Sequence, residues 1–157
     1  MRKIHRLLSS CRRGYFKYLY LCTLNHKIRK IRRKETIRVL FAVAESATWK
    51  NDSLYRAMLM HPGFTPLILV LPDEQKEESL KREGVDTCFD FFHNKGYTCS
   101  YPYENGKLIN IRKALNPDII FYQKPYTYYP ESFLYRRNLN ALFCYTNYAF
   151  HSLLADW

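Results

Sequence analysis

The sequence predicts an α/β fold, with a doubly wound and mostly parallel sheet of about five strands, preceded by a basic amphipathic helical leader. Two observations predict it. Short apolar, β-branched runs alternate along residues 36–157 with segments of helical apolar spacing. The surplus of positive charge lies before them, in residues 1–35. We therefore predict a leader over residues 1–35 and a domain over residues 36–157.

The charge of the chain belongs to the leader. Of 25 Lys/Arg and 14 Asp/Glu residues, 12 and 1 lie in residues 1–35, which leaves 13 of each sign in residues 36–157. The leader alone therefore carries the net charge of +11, and the domain is neutral. Such asymmetry indicates an anionic partner for the leader, either a membrane surface or nucleic acid.

Apolar and aromatic residues recur in the leader at helical spacing, namely Ile4, Leu7, Leu8, Cys11, Tyr15, Tyr18, Leu19 and Cys22. Arg2, Arg6, Arg13 and Lys17 fall on the other side. We predict a helix that lies in the plane of an anionic membrane surface. Two alternatives stay open. The helix could pack on its own domain or on a second one, with residues 27–34 as a solvated linker. Nucleic acid is less favoured because no recognised binding module is present.

The leader also bears on where the protein works. No run of about 18 apolar residues exists, so no transmembrane helix is predicted. The apolar stretch 15–24 is interrupted by Lys17 and lacks a small-residue cleavage site, so it does not resemble a signal peptide. Five cysteines without a CxxC pair argue against a disulfide framework. We predict a cytoplasmic protein, peripheral on the inner face of the membrane.

Five strands are predicted in the domain, at residues 36–44, 64–71, 97–101, 119–122 and 141–145. Helices are predicted between them, from Asn51 or Asp52 to His61, from Pro72-Asp73 to a stop at Gly84, at residues 89–94 and 107–115, and once more before the last strand. Strands that alternate with helices form parallel βαβ units. The pattern is therefore that of a Rossmann-like sheet.

Ligands of such sheets bind beyond the carboxyl ends of the strands. Glu45, Ser46 and Trp49 follow the first strand, and Lys124 and Tyr126 follow the fourth. We predict that these residues bind an acceptor or a phosphate. Three of them also have a structural interpretation: Trp49 as a packing residue, Lys124 as a solvated loop residue, and Tyr126 as a residue that packs under another domain.

His151 follows the fifth strand, where it could act as the general base on an acceptor hydroxyl, or lie on the surface as a simple imidazole. The chain has no Gly-x-Gly-x-x-Gly turn, no Gly-Lys-Ser/Thr phosphate loop and no Gly-x-Ser-x-Gly elbow. No His or Cys spacing fits a metal site. We therefore predict neither a bound cofactor nor a metal.

Three segments carry a family resemblance: residues 37–72 (IRVLFAVAESATWKNDSLYRAMLMHPGFTPLILVLP), 116–126 (NPDIIFYQKPY) and 141–152 (ALFCYTNYAFHS). They resemble the N-terminal part of bacterial proteins of the CDP-glycerol glycerophosphotransferase type. The resemblance implies two Rossmann-like domains of GT-B type, the first binding the acceptor and the second the nucleotide-activated donor. It also implies membrane association, synthesis of teichoic-acid-like surface polysaccharide, and a base at His151.

The resemblance favours one function. The chain would be the acceptor-side half of a membrane-associated glycerophosphotransferase or glycosyltransferase, with a glycan or polyol-phosphate acceptor. The donor-binding domain would be missing or separately encoded, so this chain alone would be inactive. The alternative is a non-catalytic Rossmann-like binding module that its basic leader recruits to the membrane.

Overall fold

The computed structural model describes residues 2–123 and 129–146, and of residues 2–13, 16 and 17 it describes the backbone alone. The elements of these ranges follow one another as α1 (Arg2–Arg32), β1 (Ile37–Val43), α2 (Asp52–Met60), β2 (Phe64–Val70), α3 (Glu78–Asn94), β3 (Cys99–Ser100), β4 (Tyr103–Glu104), β5 (Lys107–Leu108), α4 (Ile111–Ala114), β6 (Ile119–Tyr122) and β7 (Leu142–Tyr145). Short 3-10 turns lie at Ser46–Thr48, Glu131–Phe133 and Tyr135–Arg137.

Five of the strands form one parallel sheet in the order β3-β2-β1-β6-β7. The chain winds outward from β1 through β2 to β3, and then returns to the other side of β1 as β6 and β7. In register, Phe41 of β1 pairs with Ile68 of β2 and with Phe121 of β6. The predicted fold class, a Rossmann-like doubly wound sheet of five strands, is confirmed.

Strand β1 is buried on both of its faces. Val39, Phe41 and Val43 point into a core that α2 and α3 cover. Leu40 and Ala42 point into a second core, which α4 and the turn Glu131–Phe133 cover. A strand with apolar neighbours on both sides needs a continuous apolar run rather than an alternating one. This is why the sequence of β1 was readable as a strand of a parallel sheet.

The prediction that a helix ends at Gly84 is wrong. Helix α3 runs without a break from Glu78 to Asn94, and it begins after Pro72-Asp73 rather than at it. A glycine inside a helix costs about 1 kcal/mol relative to alanine. The burial of Val85 and Phe92 on the face that meets the sheet outweighs this cost, because a buried side chain of this size contributes about 1.5–3 kcal/mol.

The helix predicted over residues 107–115 is also mostly wrong. Residues 107–108 form β5, which pairs antiparallel with β4 across the turn Asn105-Gly106. Both turn residues have positive φ angles, 51° and 73°, as a two-residue hairpin of the Asn-Gly kind requires. Helix α4 has only four residues. Asn110 caps its N-terminus, where the Asn110 side chain accepts a hydrogen bond from the Lys113 N–H at 3.0 Å. Where a helix was predicted before β7, the described residues 129–141 hold two short 3-10 turns.

Helix α1 contacts the domain through its C-terminal half. The Lys34 ammonium pairs with the buried Asp118 carboxylate at 2.5 Å. Higher up, the Phe143 N–H of β7 donates to the Tyr20 hydroxyl at 3.0 Å, and the two rings stack with centroids 5.1 Å apart. Ile31 is buried between these contacts. Since Tyr20 lies beside Phe143 inside β7, and Lys34, just after α1, lies beside Asp118 before β6, the chain runs along this half of α1 towards the amino edge of the sheet, where β1 begins.

The docked face of α1 is not the face that the sequence predicted to be apolar. Tyr20, Lys27 and Ile31 recur at spacings of seven and four and face the domain. Tyr18 lies two residues from Tyr20, about 200° around the helix. Tyr15 and Tyr18 are 62% and 69% exposed. The contacts of residues 20–34 favour the open alternative of packing, and the predicted stripe through Tyr15 and Tyr18 faces away. The solvated linker predicted at residues 27–34 is wrong, because residues 27–32 continue the helix and the Lys27 and Ile31 side chains are buried.

Within the described ranges, no helix combines the length and the apolar character that crossing a bilayer demands. Helix α1 is 31 residues long, but basic residues are spread along it. Its buried lysine, Lys27, has its ammonium 4.1 Å from the centre of the Tyr20 ring, and burial lowers the pKa of this group. A cation over an aromatic face is stabilised by the ring quadrupole.

We predict that Tyr20→Phe loosens the docked half of α1. The change removes the acceptor of the Phe143 N–H and should lower the free energy of unfolding by about 1 kcal/mol. Hydrogen exchange of the Phe143 amide, read by NMR, should accelerate. Tyr18→Phe, on the exposed side of the same helix, is the matched control and should change neither quantity. Equal exchange rates in both variants would contradict the docking contact.

Candidate functional site

The residues that follow β1 form the centre of the candidate site. They fold into the 3-10 turn Ser46–Thr48 at the carboxyl edge of the sheet. The Thr48 hydroxyl lies 2.9 Å from the Glu45 carbonyl oxygen and 3.2 Å from Gln123 Oε1, so its single proton can serve either acceptor. Gln123 directly follows β6 and is 3% exposed. This contact joins the ends of β1 and β6, where the winding direction of the sheet reverses and where α/β sheets bind ligands.

A cavity of about 470 Å³ opens on the other side of this turn, between it and α3. We call it the α3 cavity, and it is lined by Ala44, Glu45, Ser46, Ala47, Lys76, Leu80, Glu83, Gly84, Thr87 and Cys88. Its volume falls in the range of small-molecule sites, about 300–1,000 Å³. Two of the residues predicted to bind an acceptor, Glu45 and Ser46, are therefore in one cavity wall.

Glu45 faces Lys76 across the mouth of the cavity. The Lys76 ammonium is 3.8 Å from Glu45 Oε1, and the two side chains are 39% and 35% exposed. A half-exposed ion pair at this distance contributes little to stability. The pair matters for ligand binding, because it places a charged hydrogen-bond donor, Lys76, beside a charged acceptor, Glu45, at the cavity.

Cys88 holds the turn against α3 from below. Its thiol is buried, and burial raises the pKa to about 12 against an ordinary value of 9.0, although a hydrogen bond from the Ser46 backbone partly opposes the shift. The nearby Glu45 carboxylate raises it further. The thiol is therefore neutral at physiological pH and is unsuited to nucleophilic chemistry, which needs the thiolate.

Trp49 does not line the α3 cavity. Its ring packs edge-on against Phe41, Phe92 and Tyr97, with centroids 5.5, 5.3 and 5.9 Å apart. The Tyr97 hydroxyl donates a hydrogen bond to Asp52, the first residue of α2. The place of Trp49 accords with its packing reading, and the aromatic cluster fixes the turn that carries Glu45 and Ser46.

The other predicted site residues lie outside the described residues. These are Lys124 and Tyr126 after β6, and His151 after β7. In turn, sequence reasoning missed the opposite wall, which is formed by Lys76 before α3 and by the α3 residues Leu80, Glu83, Gly84, Thr87 and Cys88. The signal was present in part, because residues 80, 84 and 87 recur at spacings of four and three and so share a helix face.

Along residues 2–123 and 129–146, no group of three or more His, Cys, Asp or Glu side chains is arranged to hold a metal ion. No protein-family model matches the chain, and no curated protein or solved structure matches it either. The family resemblance read from the sequence therefore stays a prediction, and arguments about function rest on the site itself.

We predict that Cys88 makes stability fall at alkaline pH. A thiol whose pKa rises from 9.0 to about 12 on folding favours the folded state fully below the lower value and loses this effect as pH climbs towards the upper one. Urea unfolding of wild type and Cys88→Ala, at pH values from about 8 to about 11, should show a smaller decline for the variant. The exposed Cys22 supplies the control, since Cys22→Ala should decline like wild type. Parallel declines for all three proteins would contradict the buried neutral thiol.

Proposed function

We propose that this chain is the acceptor-side domain of a glycerophosphotransferase or glycosyltransferase that works at an anionic membrane surface. One observation carries the proposal. The α3 cavity lies at the carboxyl edge of a doubly wound sheet and is lined by Glu45 and Ser46, directly after the central strand β1. Such a position is where α/β sheets bind their ligands.

The proposed reaction needs an acceptor hydroxyl next to an activated donor. A base removes the hydroxyl proton as the oxygen attacks the phosphorus or anomeric carbon of the donor. The bond from that atom to the nucleotide leaving group then breaks. His151 is the predicted base, and a second domain would hold the donor. The part of the task that falls to the α3 cavity is to fix the acceptor in position, which by itself contributes greatly to rate.

The membrane part of the proposal is supported by α1. Its docked face covers the edge of the sheet, and the face with Tyr15 and Tyr18 is exposed. Aromatic rings favour the headgroup region of a bilayer, and each Lys or Arg near an anionic surface adds about 1 kcal/mol. The +11 charge of residues 1–35 fits this surface. Because residues 20–34 are held against β7 and Asp118, the domain would follow the helix to the membrane.

We predict that the intact chain sediments with vesicles containing anionic lipid and not with neutral ones. Binding should weaken as salt rises, since screening reduces the attraction. The double variant Tyr15→Ser/Tyr18→Ser should bind several-fold less. Leu59→Ser/Met60→Ser removes two exposed apolar residues of α2 and is the matched control, with binding unchanged. Undiminished binding of the α1 variant would count against the predicted stripe.

The transferase part is tested on the native assembly, isolated through a tag on this chain. With a labelled nucleotide-activated glycerol or sugar as donor, we expect transfer to a membrane acceptor. Glu45→Gln should lower the rate by about tenfold, because a charged hydrogen-bond acceptor at the cavity mouth is lost. Glu104→Gln, on the exposed hairpin, should leave it unchanged. Wild-type assembly that consumes neither donor would overturn the proposal in favour of a binding module.

A further inference from the structure

The α3 cavity owes its room to small residues. Ala44 and Ala47 stand on the side of the turn, and Gly84 stands opposite them on α3. A Cβ atom built on Gly84 would lie 3.7 Å from the Lys76 ammonium, in ordinary contact. Gly84 lies deep inside a 17-residue helix, where glycine is destabilising. Glycine lowers helix propensity at this position, and it leaves the cavity the space of a side chain.

The charges around the cavity argue against an anionic occupant. Among the residues that the structure describes, two carboxylates, Glu45 and Glu83, line it with a single ammonium, that of Lys76. The ammonium already faces Glu45 at 3.8 Å. The local charge is therefore negative, and a phosphate group would meet more repulsion than attraction.

The remaining chemistry fits a neutral molecule with several hydroxyl groups. Carboxylates accept hydrogen bonds strongly, the ammonium donates, and the Ser46 and Thr87 hydroxyls do both. Hydroxyl groups of a sugar or polyol offer donors and acceptors in the same mixture. Leu80 adds an apolar patch that suits the C–H surface of such a molecule.

We propose that the α3 cavity binds a neutral polyhydroxylated group, a sugar ring or a short polyol, and not a phosphate. This inference deepens the proposed function and rests on it, since it assigns the cavity to the uncharged part of the acceptor. It also departs from the expectation that Glu45 and Ser46 bind a phosphate. Any phosphate of the acceptor would then lie outside this cavity.

The experiment is an NMR titration of the intact ¹⁵N-labelled chain with glucose, with glycerol and with inorganic phosphate. We expect glucose or glycerol to shift the amide signals of Gly84 and Thr87 saturably. The dissociation constant should be about millimolar, as for a site that makes few contacts. Phosphate should not shift them. No saturable shift from either polyol, or a shift from phosphate in their place, would overturn the inference.

Variants locate the site. Gly84→Leu fills the cavity while improving helix propensity, so it should raise the melting temperature or leave it unchanged and abolish the shifts. Glu83→Gln should weaken binding by about tenfold, through loss of a charged acceptor. Asp90→Asn, on the same helix but away from the cavity lining, is the matched control and should bind normally. Unaltered binding in a folded Gly84→Leu protein would place the ligand elsewhere.

The vesicle and transfer measurements keep the two proposals distinguishable. Sugar binding is measured without membrane and without donor. If binding fails while transfer by the native assembly succeeds, the cavity inference alone is wrong. If binding succeeds while the assembly consumes no donor, the transferase proposal is wrong and a polyol-binding module remains.

Discussion

The structure depends on the double burial of β1. This strand gives Phe41 to one core and Leu40 to the other, and both residues are almost fully removed from water. The neighbours β2 and β6 pair with it on either side. Because a parallel sheet must be covered on both faces, α2 and α3 cover one face of β1, and α4 and the turn Glu131–Phe133 cover the other. The turn that bears Glu45 and Ser46 follows from the same constraint.

The fold class was readable from the sequence because such a strand leaves a local mark, a continuous apolar run. The end of α3 could not be read in this way. Whether the helix breaks at Gly84 or continues is decided by the burial of Val85 and Phe92 against a sheet that is distant in sequence. The hairpin at Asn105-Gly106 is a different case. Its turn signal was local and was outweighed by a helical reading of the residues that follow.

The site divides in the same way. Glu45 and Ser46 were predictable, since the end of a recognised strand fixes the edge on which its next residues lie. Glu83 and Thr87 lie beside that turn because α3 packs against it, and Lys76 reaches it from the segment before α3. This placement depends on how the helix packs on the sheet. The exposed side of α1 was also not predictable from the spacing of its apolar residues. Apolar residues at helical spacing identify one face of a helix, but they do not show which face contacts the domain.

One consequence follows from the contact between α1 and β7. The N–H groups of Leu142 in β7 and of Thr146 just after it donate to the carbonyl oxygens of Asp118 and Tyr122, on the side of β6. The Phe143 N–H points the opposite way, to the outer edge of the sheet, where it donates to the Tyr20 hydroxyl. Open strand edges recruit strands from other molecules, which leads to aggregation. Helix α1 therefore also covers a strand edge at which another copy of the chain could pair. A chain that lacks residues 1–20 would expose this strand edge. We expect its solubility at high concentration to fall more than the stability of its fold.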